Sequence, residues 1–243
     1  MNILSIGNSF SQDAQRYLHR IAAVDGFTLN TFNLYIGGCP LSRHYRNMLS
    51  EERAYTLEMN GQSTDFSVSL KEALLNRSWD VITLQQASHE STNYVNYQPY
   101  LNALAEYVRL CVPKAEIAIH QTWAYEQGSE CLHEMMGYAD HTEMFRDIRA
   151  AYDSAAKDIG ADIMLPSGSL LQELIAAGIG KVHRDTFHAS LGVGRYAIGL
   201  LWYALLTGRD IRNISLCDLD EEITPEQFDI IKACVASMAA QTK

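Results

Sequence analysis

A serine follows a short apolar run, in the segment Gly-Asn-Ser-Phe-Ser at positions 7–11. The run Ile3–Ile6 predicts a strand, and ligands of open parallel sheets bind beyond the carboxyl ends of the strands. The Ser9 hydroxyl needs a base within hydrogen-bond reach to act as a nucleophile. Its own N–H, near a helix N-terminus, would favour an oxyanion. In the alternative interpretation, Ser9 and Ser11 only cap the helix.

An aspartate and a histidine, Asp185 and His188, stand three residues apart just before a very apolar helical stretch. From one loop both side chains can reach one site, where the imidazole would take a serine proton and the carboxylate would orient the imidazole. Such pairs also cap helices or form surface hydrogen bonds. A metal site that includes His183 is a further alternative, but the loop offers no other acidic or cysteine ligand. A metal would also leave the serine unexplained, so we expect no metal and no cofactor.

Strand and helix signals alternate along the chain, which predicts an α/β fold with a mostly parallel, five-stranded sheet. The predicted strands are Ile3–Ile6, Phe27–Ile36, Val81–Leu84, Glu116–His120 and Asp162–Leu165. The first predicted helix is capped by Ser11 and ends at Asp25-Gly26. The other predicted helices are Ser69–Leu75, about 99–110, about 144–159, about 170–176, 190–206, and a last helix that begins at Thr224-Pro225.

Two irregular, polar segments, near residues 39–66 and 122–137, are predicted to be insertions. The first contains Asn60-Gly61, a good two-residue hairpin turn, and is expected to form a small surface β excursion. No repeat or linker interrupts the pattern. Residues 1–243 are therefore expected to form one domain.

The composition indicates which kinds of partner and which cellular locations to expect. The net charge of −10 argues against nucleic acid or an anionic membrane as the main partner. The five cysteines are widely spaced without a CxxC pair, so neither a disulfide framework nor a zinc site is indicated. No secretion signal is visible and no apolar run has transmembrane length, which predicts a cytoplasmic protein. A chain already trimmed of a signal peptide would look the same, so a secreted or periplasmic location stays open.

The motifs together resemble the SGNH (GDSL-like) hydrolase superfamily, whose blocks occur here in the right order. Its nucleophilic serine after strand one corresponds to Ser9, its glycine after strand two to Gly38, and its D-x-x-H block to Asp185 and His188. The resemblance implies a flavodoxin-like three-layer α/β/α fold. It also implies a Ser9-His188-Asp185 triad, with the N–H groups of Ser9 and Gly38 in the oxyanion hole.

The third block departs from the superfamily pattern, because Ala87 stands where the oxyanion asparagine is expected. A glutamine amide can replace an asparagine amide as donor, so Gln85 or Gln86 is predicted to serve, with Ser88 in reserve. The variant Leu-Gln-Gln-x-Ser, with Gly-Gly-Cys-x-Leu-x-x-His at 37–44 and Gln-Thr-Trp-Ala-Tyr at 121–125, resembles the DUF4886 branch. The activity implied for that branch is carbohydrate O-deacetylation.

Four further side chains are candidates for contact with substrate: His44, Ser88, Trp123 and Tyr125. The aromatic pair follows strand four at the crevice end of the sheet and either stacks on a sugar or belongs to the core. His44 either donates to substrate or bonds a loop carbonyl. Cys39 has no basic neighbour to activate it and is expected to be a buried, unreactive thiol.

The sequence thus predicts a serine esterase that hydrolyses small acyl esters, above all acetyl esters of carbohydrates. The partner would be a small-molecule or carbohydrate ester, and the oligomeric state stays open. One alternative is a non-catalytic SGNH-like protein that binds a glycan or small ligand, which the missing asparagine favours. Another is a lipase or thioesterase.

Overall fold

The computed structural model describes residues 1–241. Its strands are β1 (Asn2–Gly7), β2 (Asn30–Tyr35), β3 (Tyr55–Met59), β4 (Gln62–Val68), β5 (Val81–Leu84), β6 (Glu116–His120) and β7 (Ile163–Leu165). Its α-helices are α1 (Ser9–Gln15), α2 (Leu18–Val24), α3 (Leu41–Ser50), α4 (Leu70–Leu75), α5 (Tyr100–Cys111), α6 (His141–Ile159), α7 (Ser167–Ala176), α8 (Val193–Thr207) and α9 (Pro225–Gln241). Short 3₁₀ turns lie at Ser88–Glu90 and Tyr94–Tyr97, and a π-helical turn lies at Cys131–Met135.

All seven strands form one sheet in the order β4-β3-β2-β1-β5-β6-β7. The five strands β2-β1-β5-β6-β7 are parallel. The first strand of the chain, β1, is second in this row, which is the flavodoxin-like arrangement. Helices α1, α2, α7, α8 and α9 pack together on one face, and α3 to α6 pack on the other. The predicted three-layer α/β/α fold is confirmed, although the sheet has seven strands instead of five.

The two additional strands come from the segment predicted to be a surface excursion. β3 and β4 form a hairpin that turns at Asn60-Gly61, as expected, but β3 pairs antiparallel with β2 and so extends the central sheet. The same segment also contains α3, which the sequence reading missed. The buried positions of α3 are Leu41, His44 and Asn47, so two of the three are polar and the apolar periodicity is hidden.

The first predicted helix is divided. α1 and α2 are separate, with a turn at Arg16 and Tyr17, although the apolar residues that have the spacing of one helix face are all buried: Ala14, Tyr17, Leu18, Ile21 and Ala22. The residue that caps α1 is Asn8, not Ser11: the Asn8 side chain accepts from the N–H of Phe10, and the Ser11 hydroxyl accepts from the N–H of Asn8. Ser9 is therefore the first residue of α1. No helix within residues 1–241 has both the length and the apolarity to cross a bilayer.

A chain of buried polar side chains joins α1 to the added strands. The Ser11 hydroxyl donates to Asn33 Oδ1 at 2.7 Å, and Asn33 Nδ2 donates to Glu58 Oε2 at 2.8 Å. Gln12 donates to the other oxygen of Glu58. Burial raises the pKa of Glu58, and the two amide donors only partly offset that effect. The carboxylate of β3 thus fixes the hairpin beneath the helix that begins with Ser9.

Because the pKa of Glu58 is higher in the folded than in the unfolded chain, the folded chain binds the proton more tightly. We expect the free energy of unfolding to fall as the pH rises from the unfolded to the folded pKa of Glu58. Glu58→Gln should remove that fall and be at least as stable as the wild type at pH 7. Urea unfolding from pH 4 to 8 measures this; equal pH slopes in the two proteins would contradict it.

Candidate active site

Three polar side chains that are far apart in the sequence meet at the carboxyl edge of the sheet. His188 Nε2 lies 2.9 Å from Ser9 Oγ, and His188 Nδ1 lies 2.8 Å from Asp185 Oδ2. Ser9 begins α1 directly beyond β1, and the other two residues lie in the loop before α8. With Nδ1–H donating to the carboxylate, Nε2 is left to accept the serine proton. The predicted side chains are thus brought together in the order that nucleophile activation requires.

The carboxylate of Asp185 is held ionised by its own loop. Burial opposes ionisation, but the N–H groups of His188 and Phe187 both donate to Oδ1, at 2.8 and 2.9 Å. With the imidazole on Oδ2, these bonds lower the pKa of Asp185 to about 2. Asp185 is therefore an acceptor for the imidazole at any pH near neutrality.

The segment after β6 supports the same loop from the other side. Trp123 Nε1 donates to the carbonyl of Phe187 at 2.7 Å, and the N–H of Glu126 donates to the carbonyl of Thr186 at 2.8 Å. The Trp123 ring is fully buried and stacks on Phe10 with centroids 4.1 Å apart. The prediction that Trp123 contacts substrate is therefore wrong, because its ring lies under the loop and not in the cleft.

The two residues predicted to supply backbone N–H groups to an oxyanion, Ser9 and Gly38, both line the cleft in front of the Ser9 hydroxyl. The Ser9 N–H has no intrahelical partner because Ser9 opens α1. Gly38 lies in the turn after β2 that the N–H of Cys39 closes onto the carbonyl of Ile36. The φ angle of Gly38 is 60°, a left-handed conformation that glycine adopts most readily. Asn8 links the two segments, since its Nδ2 donates to the carbonyl of Cys39 at 3.2 Å.

The two glutamines after β5 do not reach this space. Gln86 Oε1 accepts from the N–H groups of Leu41 and Ala87, and its Nε2 donates to the carbonyl of Asn96. Gln85 Nε2 donates to Asn8 Oδ1 at 2.8 Å, and its Oε1 lies 2.9 Å from His120 Nδ1. Both side chains are buried and neither lines the cleft. The predicted role of Gln85 or Gln86 as oxyanion donor is corrected by these contacts.

The contacts of Gln85 form a chain with a fixed direction. The N–H of Phe10 can only donate, so Asn8 must present Oδ1 to it. Gln85 must then present Nε2 to Asn8 and Oε1 to His120, whose Nδ1 therefore carries the proton. Burial lowers the pKa of His120 to about 3, so its ring is neutral. One backbone group thereby fixes two amides and one imidazole behind Ser9.

The other residues considered from the sequence are either buried in the core or line the cleft. His44 is fully buried, stacks on Tyr55 and hydrogen bonds its hydroxyl at 3.0 Å, so its predicted contact with substrate is wrong. Burial raises the pKa of the Cys39 thiol to about 12, consistent with the expected unreactive cysteine. Ser88 and Tyr125 do line the cleft, with their hydroxyl oxygens 2.9 Å apart.

The cleft in front of Ser9 has a volume of about 400 Å³ and mostly apolar walls. Four further residues that line the cleft were not among the candidates predicted from the sequence: Tyr35, Cys131, Met135 and Phe187. Cys131 and Met135 belong to the π-helical turn of the predicted 122–137 insertion, where no periodic pattern marks a side chain as cleft-facing. Phe187 lies within the D-x-x-H block itself, which was the available signal. Within residues 1–241 no group of three His, Cys, Asp or Glu side chains is arranged to hold a metal ion.

The sheet order, the serine after β1, the glycine turn after β2 and the Asp-His loop before α8 define a protein with the SGNH hydrolase fold. A candidate SGNH hydrolase from Slackia heliotrinireducens superposes with a TM-score of 0.60 at 23% identity, over 82% of this chain and 95% of that one. An acetylxylan esterase from Geobacillus stearothermophilus gives a TM-score of 0.55 at 14% identity, over 86% and 94%. At these identities the similarity concerns the fold.

The comparison with protein families is more specific than the comparison of folds. The model of the DUF4886 family, a domain of unknown function, matches residues 2–242, and the chain belongs to that family. A DUF4886 protein from Bacteroides uniformis superposes with a TM-score of 0.90 at 30% identity, over 99% of this chain and 95% of that one. A search of the curated proteins gives no significant match. The resemblance to the DUF4886 branch is thus confirmed, and the chain shares its fold with SGNH hydrolases.

Removing the Gln85 amide should affect stability. Gln85→Leu leaves the buried His120 Nδ1–H without an acceptor, and we expect a loss of about 1–3 kcal/mol in the free energy of unfolding. Gln62→Leu is the matched control because Gln62 is exposed at the start of β4. Denaturant unfolding at pH 7 measures both variants. Equal stability of the two would show that the buried chain contributes nothing.

Proposed function

We propose that the protein is a serine esterase that cleaves small acyl esters, acetyl esters of carbohydrates above all. The observation that carries the proposal is the continuous contact from Ser9 Oγ through the His188 imidazole to Asp185, with distances of 2.9 and 2.8 Å. A serine that only caps a helix has no need of an imidazole so placed, nor of a carboxylate that fixes its tautomer.

In the proposed reaction Ser9 Oγ attacks the ester carbonyl while His188 Nε2 takes the serine proton. The imidazolium, stabilised by the ionised Asp185, then gives that proton to the departing alkoxide as the C–O bond breaks. Water enters and attacks the acyl-serine with His188 again as base, which releases the carboxylic acid and restores Ser9. The N–H groups of Ser9 and Gly38 stabilise the oxyanion of both tetrahedral intermediates.

A hydroxyl pair is the best candidate for the third oxyanion donor, since both glutamine amides are engaged elsewhere. If the Tyr125 hydroxyl donates to Ser88 Oγ, the Ser88 O–H is free to point into the cleft. Ser88 is also the last residue of the third block and directly follows Ala87, which stands where the superfamily has its asparagine donor. We assign the third donor to Ser88 and an orienting role to Tyr125.

The size of the cleft supports a small acyl group. Its volume of about 400 Å³ lies near the lower end of the range for small-molecule sites, which runs from about 300 to 1,000 Å³. Phe187, Tyr125 and Met135 provide apolar area for a methyl group or a sugar face. The fold shared with an acetylxylan esterase further supports an acetylated carbohydrate as substrate.

One observation favours the alternative of a non-catalytic binding protein. The amides that stand after β5 are turned into the core, so the cleft has no carboxamide donor from the third block. A binder would keep the cleft and the fold yet have an unreactive serine. Labelling with a fluorophosphonate separates the two functions, because it requires an activated serine hydroxyl.

Replacing the proposed nucleophile should abolish hydrolysis of p-nitrophenyl acetate and fluorophosphonate labelling. Ser9→Ala removes the attacking oxygen but no hydrogen bond other than that with His188, so the fold should persist. Ser154→Ala, on the exposed face of α6, is the control and should behave like the wild type. Undiminished turnover in Ser9→Ala, or failure of the wild type to react with either reagent, would refute the proposal.

The assignment of the third oxyanion donor can be tested by replacing Ser88 and Ser91, two serines of the same short turn. We expect Ser88→Ala to lower kcat about 10- to 100-fold, with KM changed by no more than about twofold, because the oxyanion exists only in the transition state and intermediates. Ser91→Ala removes a buried hydroxyl that donates to the Ser88 carbonyl and should leave kcat near the wild-type value. Comparable kcat values for both variants would exclude Ser88 as donor.

A further inference from the structure

A carboxylate with no exposed surface lies one turn beyond Ser9 on α1. Asp13 is 0% exposed, and both of its oxygens are hydrogen-bonded. Arg184 Nη1 donates to the two oxygens at 2.8 and 2.9 Å, and Arg195 Nε donates to Oδ1 at 2.8 Å. The N–H of Ala189 donates to Oδ2 at 3.0 Å. A carboxylate so buried requires such partners, because an unpaired charge in the interior is very costly.

The partners of Asp13 bracket the segment that carries the Asp-His pair. Arg184 directly precedes Asp185, and Ala189 directly follows His188. The segment is closed on itself, since the N–H of Arg184 donates to the carbonyl of His188 at 3.0 Å and Arg184 Nη1 donates to the carbonyl of Ala189 at 2.7 Å. Both ends of residues 184–189 are therefore fastened by one side chain to the helix that begins with Ser9.

We propose that Asp13 is a positioning residue of the acyl-transfer reaction, which sets the distance between Ser9 Oγ and His188 Nε2. The proposal rests on the function proposed above. Ser9 and Asp13 are separated by one helical turn of fixed length, so anchoring residues 184–189 at Asp13 places the imidazole over Ser9. A displacement of about 1 Å in such a geometry can cost about 100-fold in rate.

The same ionic cluster provides a control that lacks the contact to the loop. Asp220 accepts from Arg16 Nε and Nη2 at 2.6 and 2.7 Å and from Arg195 Nη1 at 3.1 Å. Its N–H donates to the hydroxyl of Tyr17 at 2.7 Å. Asp220 thus shares Arg195 with Asp13, but its partners Arg16, Arg195 and Tyr17 all lie outside residues 184–189. Loss of Asp220 disturbs the cluster, and loss of Asp13 disturbs the cluster and the loop together.

The experiment compares Asp13→Asn with Asp220→Asn, using p-nitrophenyl acetate hydrolysis, the rate of fluorophosphonate labelling and thermal unfolding. Assays are run well below both unfolding transitions. We expect both variants to be less stable than the wild type. For Asp13→Asn we expect kcat and the labelling rate to fall about 10- to 100-fold while KM changes by no more than about twofold. For Asp220→Asn we expect kcat to stay within about twofold of the wild type.

A second variant covers the case in which Asp13→Asn does not fold. Arg184→Lys keeps a positive charge beside Asp13, but its ammonium ends one bond short of the position of Nη1, the nitrogen that donates to both Asp13 oxygens and to the Ala189 carbonyl, so the joint contact is lost. We expect a smaller fall in kcat, about 3- to 10-fold, again with little change in KM. Wild-type kcat in folded Asp13→Asn, or in folded Arg184→Lys if the former does not fold, would overturn the proposal.

A readout independent of turnover separates this inference from the proposed function. The imidazole ¹⁵N shifts of His188 report the hydrogen bond at Nε2, and we expect them to change in Asp13→Asn but not in Asp220→Asn. A wild type without esterase activity or labelling, together with those shift changes, would refute the proposed function and support the positioning role. Unchanged His188 shifts in Asp13→Asn would overturn the positioning role whatever the activity.

Discussion

The hydrogen bond between Ser9 and His188 joins residues that are 179 positions apart, and most features of the carboxyl edge of the sheet serve to hold that pair. A serine hydroxyl and an imidazole gain little from one contact in water, so their separation must be imposed by the scaffold. Here the scaffold acts from both sides. The segment after β6 supports the loop through Trp123 and Glu126, and α1 holds it through the buried carboxylate of Asp13.

The departure of the third block from the superfamily pattern has a structural explanation. Gln85 has become part of a buried chain that runs from His120 to Asn8. Asn8 in turn links the start of α1 with the turn that contains Gly38, and so holds together the two backbone donors of the proposed oxyanion hole. A carboxamide that supports this arrangement from behind is not free to face the cleft. The site thus keeps an amide near the oxyanion hole, but in a supporting position.

The two segments without clear periodicity differ in what they contribute. The first adds two strands to the sheet, and its buried Glu58 accepts hydrogen bonds from Gln12 on α1 and from Asn33 on β2. The second supplies Cys131 and Met135 as one wall of the cleft. The first segment therefore extends the sheet, whereas the second helps to shape the cleft, as expected where loops on a rigid sheet carry the specificity.

The amino-acid sequence by itself determined the α/β alternation and the five parallel strands. It also identified Ser9, Gly38, Asp185 and His188 as candidates. Both were possible because local periodicity and short motifs can be recognised without knowledge of contacts. Their catalytic roles stay predictions.

Only the tertiary structure decided where each long side chain points. Gln85, Gln86, His44 and Trp123 all stand near motif positions, yet each is directed into the core by partners from distant segments. The buried ion cluster around Asp13 was equally invisible, since its members lie in α1, the 184–189 loop and α8 and no spacing connects them. Side-chain direction depends on which donors and acceptors the fold brings within about 3 Å, and a linear sequence does not contain those distances.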